Sequence, residues 1–165
     1  MWCVLNDFHS PRQVSAKEGW TTALAYLGHN PAMNTGSCLC GGIRFRIHAE
    51  LAPVQICYCS QCRKAQGTAF GSNIPVKRAD FELLSGQELL QCYSATPGKG
   101  RWFCRHCGSP IYSARDSLPD VLRVRAGTLD EPLHTRPAFH AHVASKCSWW
   151  DLPDDGLPRH PQGAS

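Results

Sequence analysis

Cys104-Arg105-His106-Cys107-Gly108 is the stretch that decides the fold, and two others answer to it: Cys38-Leu39-Cys40-Gly41-Gly42 and Cys57-Tyr58-Cys59-Ser60-Gln61-Cys62. A Cys-x-x-Cys-Gly turn is a zinc knuckle. It aims both sulfurs at one ion while backbone N–H groups face the thiolates, and the glycine permits the backbone conformation that closes the turn. One such pair is a modest signal. Three groups, holding seven of the ten cysteines, are a strong one.

Ligand counting divides the seven. A structural zinc takes four ligands in a closed tetrahedron, at about 2.3 Å for each Zn–S bond. Cys38, Cys40, Cys104 and Cys107 make such a set. They stand far apart in the chain, so the ion would staple distant segments together and offset the entropy of closing a long loop. Cys57, Cys59 and Cys62 remain, and three protein ligands with an open position are the pattern of a catalytic zinc. The competing reading closes the second site with Cys92, Cys147, His140 or His142. Cys92, inside the apolar stretch Leu89-Leu90-Gln91-Cys92-Tyr93, reads rather as a small buried hydrophobe. His140-Ala141-His142 would put both imidazoles on one strand face.

Three thiolates on Zn²⁺ leave a net charge of −1, which blunts the ion as a Lewis acid. Such a site suits sulfur–carbon chemistry, holding a thiol as its thiolate, better than hydrolysis. Arg63 and Lys64, just after the trio, are candidates to receive a substrate carboxylate; the competing reading makes them the solvated start of a short helix.

Around these groups the pattern is mainly β. Ile43, Phe45 and Ile47 alternate with Arg44, Arg46 and His48, and Val121 to Arg125 alternates again. Pro53–Cys57, Arg101–Cys104, Pro110–Ser113 and Ala138–Ser145 read as strands, and Phe81–Leu84 with Glu88–Tyr93 as a hairpin about Ser85-Gly86. Only Cys62–Gln66 looks helical. Residues 1–33 read as a weakly ordered extension, with a short packed helix as the alternative, residues 34–159 as one zinc domain, and residues 160–165 as a tail; the Pro-, Gly- and Asp-rich run from Asp151 onward should be loose.

The 165 residues, 42% hydrophobic and 18% charged, suit one globular domain rather than a disordered chain. No apolar run reaches the length of a membrane span, and no secretory signal is evident, so the expected compartment is the cytoplasm, where thiols stay reduced. The formal charge of +4 treats every cysteine as neutral. Seven thiolates around two zinc ions would lower it by three, to about +1. With basic residues scattered along the chain, as in Arg44, Arg63, Lys64, Arg101 and Arg123, this argues against a nucleic-acid partner.

At these residues the chain resembles the glutathione-dependent formaldehyde-activating enzyme family, which also includes centromere protein V. The matching stretches are Gly36-Ser37-Cys38-Leu39-Cys40-Gly41, Cys57 through Lys64, Gly67-Thr68-Ala69-Phe70, Arg101 through Pro110, Ala144-Ser145-Lys146 and Trp149-Trp150-Asp151. The resemblance implies an all-β, mostly antiparallel, tent-like fold with a zinc-ribbon-type site and few short helices. It implies two zinc ions, Cys38, Cys40, Cys104 and Cys107 holding the structural one and Cys57, Cys59 and Cys62 the catalytic one. It further implies glutathione as co-substrate, added to formaldehyde or a similar small carbonyl in what is formally a carbon–sulfur lyase reaction. Two departures stand out. Many members carry histidine where this chain has Tyr58, and His140-Ala141-His142 replaces a more apolar strand. Two other function classes stay open at this point: a non-catalytic zinc-dependent module binding protein or nucleic acid, and a redox or metal-buffer role.

Overall fold

A computed structural model describes residues 33–163; the expected N-terminal extension lies, but for Met33, outside the described residues. In chain order the elements are β1 (Asn34–Ser37), β2 (Arg44–Ile47), β3 (Val54–Cys57), the helix α1 (Ser60–Gln66), β4 (Gly71–Lys77), β5 (Phe81–Ser85), β6 (Leu90–Thr96), β7 (Lys99–Cys104), β8 (Pro110–Arg115), β9 (Leu118–Arg125), β10 (Pro137–Ala141) and β11 (Arg159–His160). The fold is mostly antiparallel β, as expected. Strands β1, β2 and β5 form a three-stranded sheet, and the other eight form a second sheet in the order β11-β10-β3-β4-β9-β8-β7-β6. Only β10 pairs in parallel, with β3 on one side and β11 on the other. No helix of the described residues is long and apolar enough to cross a membrane.

Alternation builds the core. On β2, Phe45 and Ile47 are buried while Arg44 and Arg46 point outward. On the large sheet, Val54, Ile56, Ile74, Val76, Leu122 and Val124 turn to the same apolar interior. An aromatic contact ties the sheets together: Phe81 of β5, stacked on Phe45 of its own sheet with ring centroids 5.2 Å apart, meets Tyr112 of β8 edge-on at 5.4 Å.

Three expectations are corrected. Phe81–Ser85 and Leu90–Thr96 are strands, but they do not form a hairpin. β5 pairs with β2 and β6 with β7, in different sheets, because a short 3-10 turn over Gln87–Leu89 carries the chain from one sheet to the other. The strand expected to run to Ser145 ends at Ala141, because His142 adopts a positive φ of 58° and breaks the alternation. The run after Asp151 is not loose: Arg159–His160 pairs with β10, and the backbone N–H groups of His140 and His142 donate to the carbonyls of Pro158 and Gln162 at 2.8 Å.

Candidate metal centres and cleft

The crossing turn also assembles the first sulfur group. The Cys38–Gly42 turn joins β1 to β2 in the small sheet, and the Cys104–Ser109 turn joins β7 to β8 in the large one. Between them sits the Gln87–Leu89 turn, whose Leu89 carbonyl accepts the Arg105 N–H at 2.8 Å. A further bond fixes the two knuckles against each other, the Leu39 N–H donating to Ser109 Oγ at 2.9 Å, and within the first knuckle the Ile43 N–H points at Cys38 Sγ at 3.2 Å. Gly41 and Gly108 take φ values of 73° and 78°, the left-handed conformation that the turns demand.

The ligand atoms of Cys38, Cys40, Cys104 and Cys107 lie within 4.8 Å of one another. The Cys38–Cys40 and Cys40–Cys104 sulfur separations are 3.4 and 3.9 Å. A tetrahedron with Zn–S bonds of 2.3 Å has sulfur–sulfur edges of about 3.8 Å, so the four sulfurs fit one ion, and they are far too distant for disulfides. The Ser109 hydroxyl is the main reason the Cys107 thiol is held down to about 5.

The second group forms where β3 meets α1. Cys57 ends β3, Cys59 caps the helix with its sulfur accepting the Cys62 N–H at 3.4 Å, and Cys62 lies on the buried side of the first turn. These three ligand atoms also lie within 4.8 Å of one another. Hydrogen bonds from Cys57 and Cys62 hold Cys59 far below the ordinary thiol range, and the same sharing with Cys59 and Cys62 pushes Cys57 far above it. Three close sulfurs without a cation thus favour a single negative charge; a divalent ion is what lets all three ionise. The donor set fits a soft divalent metal.

Among the described residues no fourth ligand joins this trio. Cys92 lies on β6; Cys147 is buried outside both groups. The two histidines diverge instead of sharing a strand face, because of the positive φ at His142. His140 is 2% exposed and sits between the Tyr58 hydroxyl at 3.1 Å and the Asp155 carboxylate at 3.0 Å. The two departures noted in the sequence therefore touch: Tyr58 lies in the core, on the opposite side of the strand from Cys57, bonded to His140. His142 turns toward the cleft.

Two cavities flank the trio. The outer, of about 540 Å³, is lined by Cys57, Cys59, Gln61, Thr96 and Lys99 among others; Gln61 Nε2 donates to Thr96 Oγ1 at 2.9 Å in its wall. The inner, of about 180 Å³, lies on the large sheet's non-core face and shares Cys57, Lys99, Arg115 and His142 with the outer one. Arg63 and Lys64 line neither: the Arg63 guanidinium donates to the carbonyls of Tyr58 and Ser145 at 3.2 and 3.3 Å, and Lys64 is exposed. The cations lining the inner cavity are Lys99, Arg115, Arg123 and Arg125, which are scattered in sequence and gathered only in space. The signal was present in Val121-Leu122-Arg123-Val124-Arg125, whose alternation sends both arginines to the face opposite Leu122 and Val124.

Comparison with known proteins agrees with this picture. A family model described as "Glutathione-dependent formaldehyde-activating enzyme" matches residues 33–145. A protein of Halomonas elongata, provisionally described as a glutathione-dependent formaldehyde-activating enzyme, is 32% identical over 126 residues, covering 71% of this chain and 79% of the relative. A crystal structure of a Rhodobacter sphaeroides protein superposes with a TM-score of 0.52 at 26% identity, covering 62% of this chain and 97% of that one.

Proposed function

The chain belongs to the glutathione-dependent formaldehyde-activating enzyme family, and from that premise we propose that it is a zinc-dependent enzyme joining the thiol of glutathione to formaldehyde or a similar small carbonyl. The observation that carries the reading is the sulfur trio of Cys57, Cys59 and Cys62, two of which, Cys57 and Cys59, line the 540 Å³ cleft, with no fourth ligand among the described residues. Cys38, Cys40, Cys104 and Cys107 would hold a structural zinc, and the trio a second ion with a position left for substrate. When bound there, zinc supplies positive charge that favours the thiolate form of an incoming thiol.

The residues of the chain do the rest. The hydrogen-bonded pair Gln61–Thr96 makes one wall of the cleft, and Lys99 brings a positive charge to it. His142 lines the cleft beside Cys57 and Cys59, in position to take the thiol proton and return it to the carbonyl oxygen. The sulfur–carbon bond forms as the C=O π bond opens, and the proton ends on the new hydroxyl, giving S-hydroxymethylglutathione with no change of oxidation state. Reduced thiol ligands suit the cytoplasm, and the reaction classes the protein as a carbon–sulfur lyase.

The test is ¹³C NMR of labelled formaldehyde mixed with glutathione and the zinc-loaded protein. Adduct should form faster than in the protein-free control, and Cys59→Ser should remove the acceleration. Equal rates with and without wild-type protein would refute the reaction.

A further inference from the structure

The inner cavity is charged in a way that a formaldehyde reaction does not call for. Lys99, Arg115, Arg123 and Arg125 line it together with the neutral Asn73 and Ser113, and among the described residues no carboxylate does. Among the described residues none of the four cations forms an ion pair within 4.0 Å. Arg125 is only 3% exposed: its Nη1 donates to Asn73 Oδ1, but its Nε, buried, has no partner among the described residues, and neither has Nη1 of Arg123. Buried guanidinium groups without a counter-charge are costly, and sites that keep them are built to receive an anion. The neighbouring trio offsets little, since three thiolates with one divalent ion carry −1.

The register shows that the arrangement is built into the sheet. Cross-strand pairing sets Asn73 of β4 beside Arg125 of β9, Ser113 of β8 beside Arg123, and Arg115 beside Lys99 of β7. Donors from four adjacent strands therefore converge on one face, which also carries Cys57 of β3. A cavity of about 180 Å³ has room for a small oxyanion, given that a water's share of liquid volume is about 30 Å³.

We propose that this inner chamber is an oxyanion site that seats a carboxylate of the substrate while its reacting atom lies at the sulfur trio. The identity of that substrate rests on the reading above; the anion site itself does not. The carboxylate has two possible sources, an end of glutathione or a carboxylate on the carbonyl partner.

The experiment is calorimetric titration of the zinc-loaded full chain with sulfate, ionic strength being held constant with chloride. Wild type should show saturable binding to a single site. Arg123→Gln should weaken it tenfold or more, as should Lys99→Gln at the chamber's mouth, whereas Arg44→Gln, an equal loss of charge on the other sheet, should change it less than twofold. Circular dichroism confirms that each variant folds. Absence of saturable sulfate binding, or equal weakening by Arg44→Gln, overturns the site. Displacement of sulfate by glutathione but not by its diethyl ester assigns the chamber to the thiol. Displacement by glyoxylate (the smallest aldehyde bearing a carboxylate) but not by glutathione assigns it to the carbonyl partner. Displacement by neither overturns the link to substrate. Sulfate binding needs no turnover, so an inactive protein that still binds sulfate would sink the formaldehyde reaction and leave the chamber standing.

Discussion

Lowering free zinc by tenfold should lower the melting temperature by an amount that counts the ions. Each ion held by the folded chain and released on unfolding contributes about 1.4 kcal/mol per decade of free metal above its dissociation constant. The described domain has about 130 residues. At about 2.1 cal/mol/K per residue its unfolding entropy near the melting point is about 0.27 kcal/mol/K, so one ion is worth about 5 °C per decade. Two ions, one in each sulfur group, give about 10 °C. The assay is thermal unfolding by circular dichroism in chelator-buffered zinc over three decades. Cys59→Ser, which disrupts only the trio, should retain the slope of one ion. The first group supplies the greater structural effect, because it ties the small sheet to the large one across 64 residues between Cys40 and Cys104. A wild-type melting point indifferent to free zinc would refute the reasoning, and so would identical slopes for wild type and Cys59→Ser.

Further outcomes can be checked one variant at a time. Gly36→Ala should destabilise by about 1–3 kcal/mol without loss of metal, because an added Cβ would stand 2.1 Å from Phe45 Cζ and 2.7 Å from the Thr128 carbonyl oxygen; an unchanged urea midpoint would count against that packing. Tyr58→Phe should cost about 1–3 kcal/mol by leaving the buried His140 Nδ1 unpartnered, with zinc content unaltered by atomic absorption. Cys147→Ala and His142→Ala should each keep both ions, since neither residue belongs to a sulfur group; release of an ion by either would expose a fourth ligand for the trio. Leu122→Ala, fully buried beneath the arginine face, should cost about 2–5 kcal/mol in urea unfolding, and a smaller loss would mean that the two sheets pack less tightly here.

Much of the candidate site was readable along the chain because its ligands are local. Cys57, Cys59 and Cys62 fall within one strand end and one helical turn, so spacing alone nearly fixes their geometry. The knuckle at Cys104–Gly108 is likewise a short-range object, and the glycine after its second cysteine takes the conformation the motif required. What local pattern misjudged were partners. Glu88–Tyr93 reads as a strand, but nothing in it says that Leu90–Thr96 will pair with β7 rather than with β5. Asp151–Gly163 has the composition of a loose tail, and its order comes from an unfilled edge of β10. Arg63 and Lys64 are candidates by nearness in sequence alone, for a substrate carboxylate or for a solvated helix start, and the arginine directs donors to two backbone carbonyls.

By itself, then, the order of residues determined the sulfur chemistry: seven cysteines in three tight groups, and alternating strands such as Ile43–Ile47 and Val121–Arg125 whose apolar members find the core. Only the tertiary structure decided what surrounds the trio. Lys99, Arg115, Arg123 and Arg125 come from three strands, and pairing register, a long-range property, brings them to one face behind Cys57. Likewise His140 and His142, two residues apart, part company through one backbone torsion, so that one completes the core and the other reaches the cleft. Side-chain type and spacing are written in the chain; which distant cations must share a cavity is settled only when the strands pair.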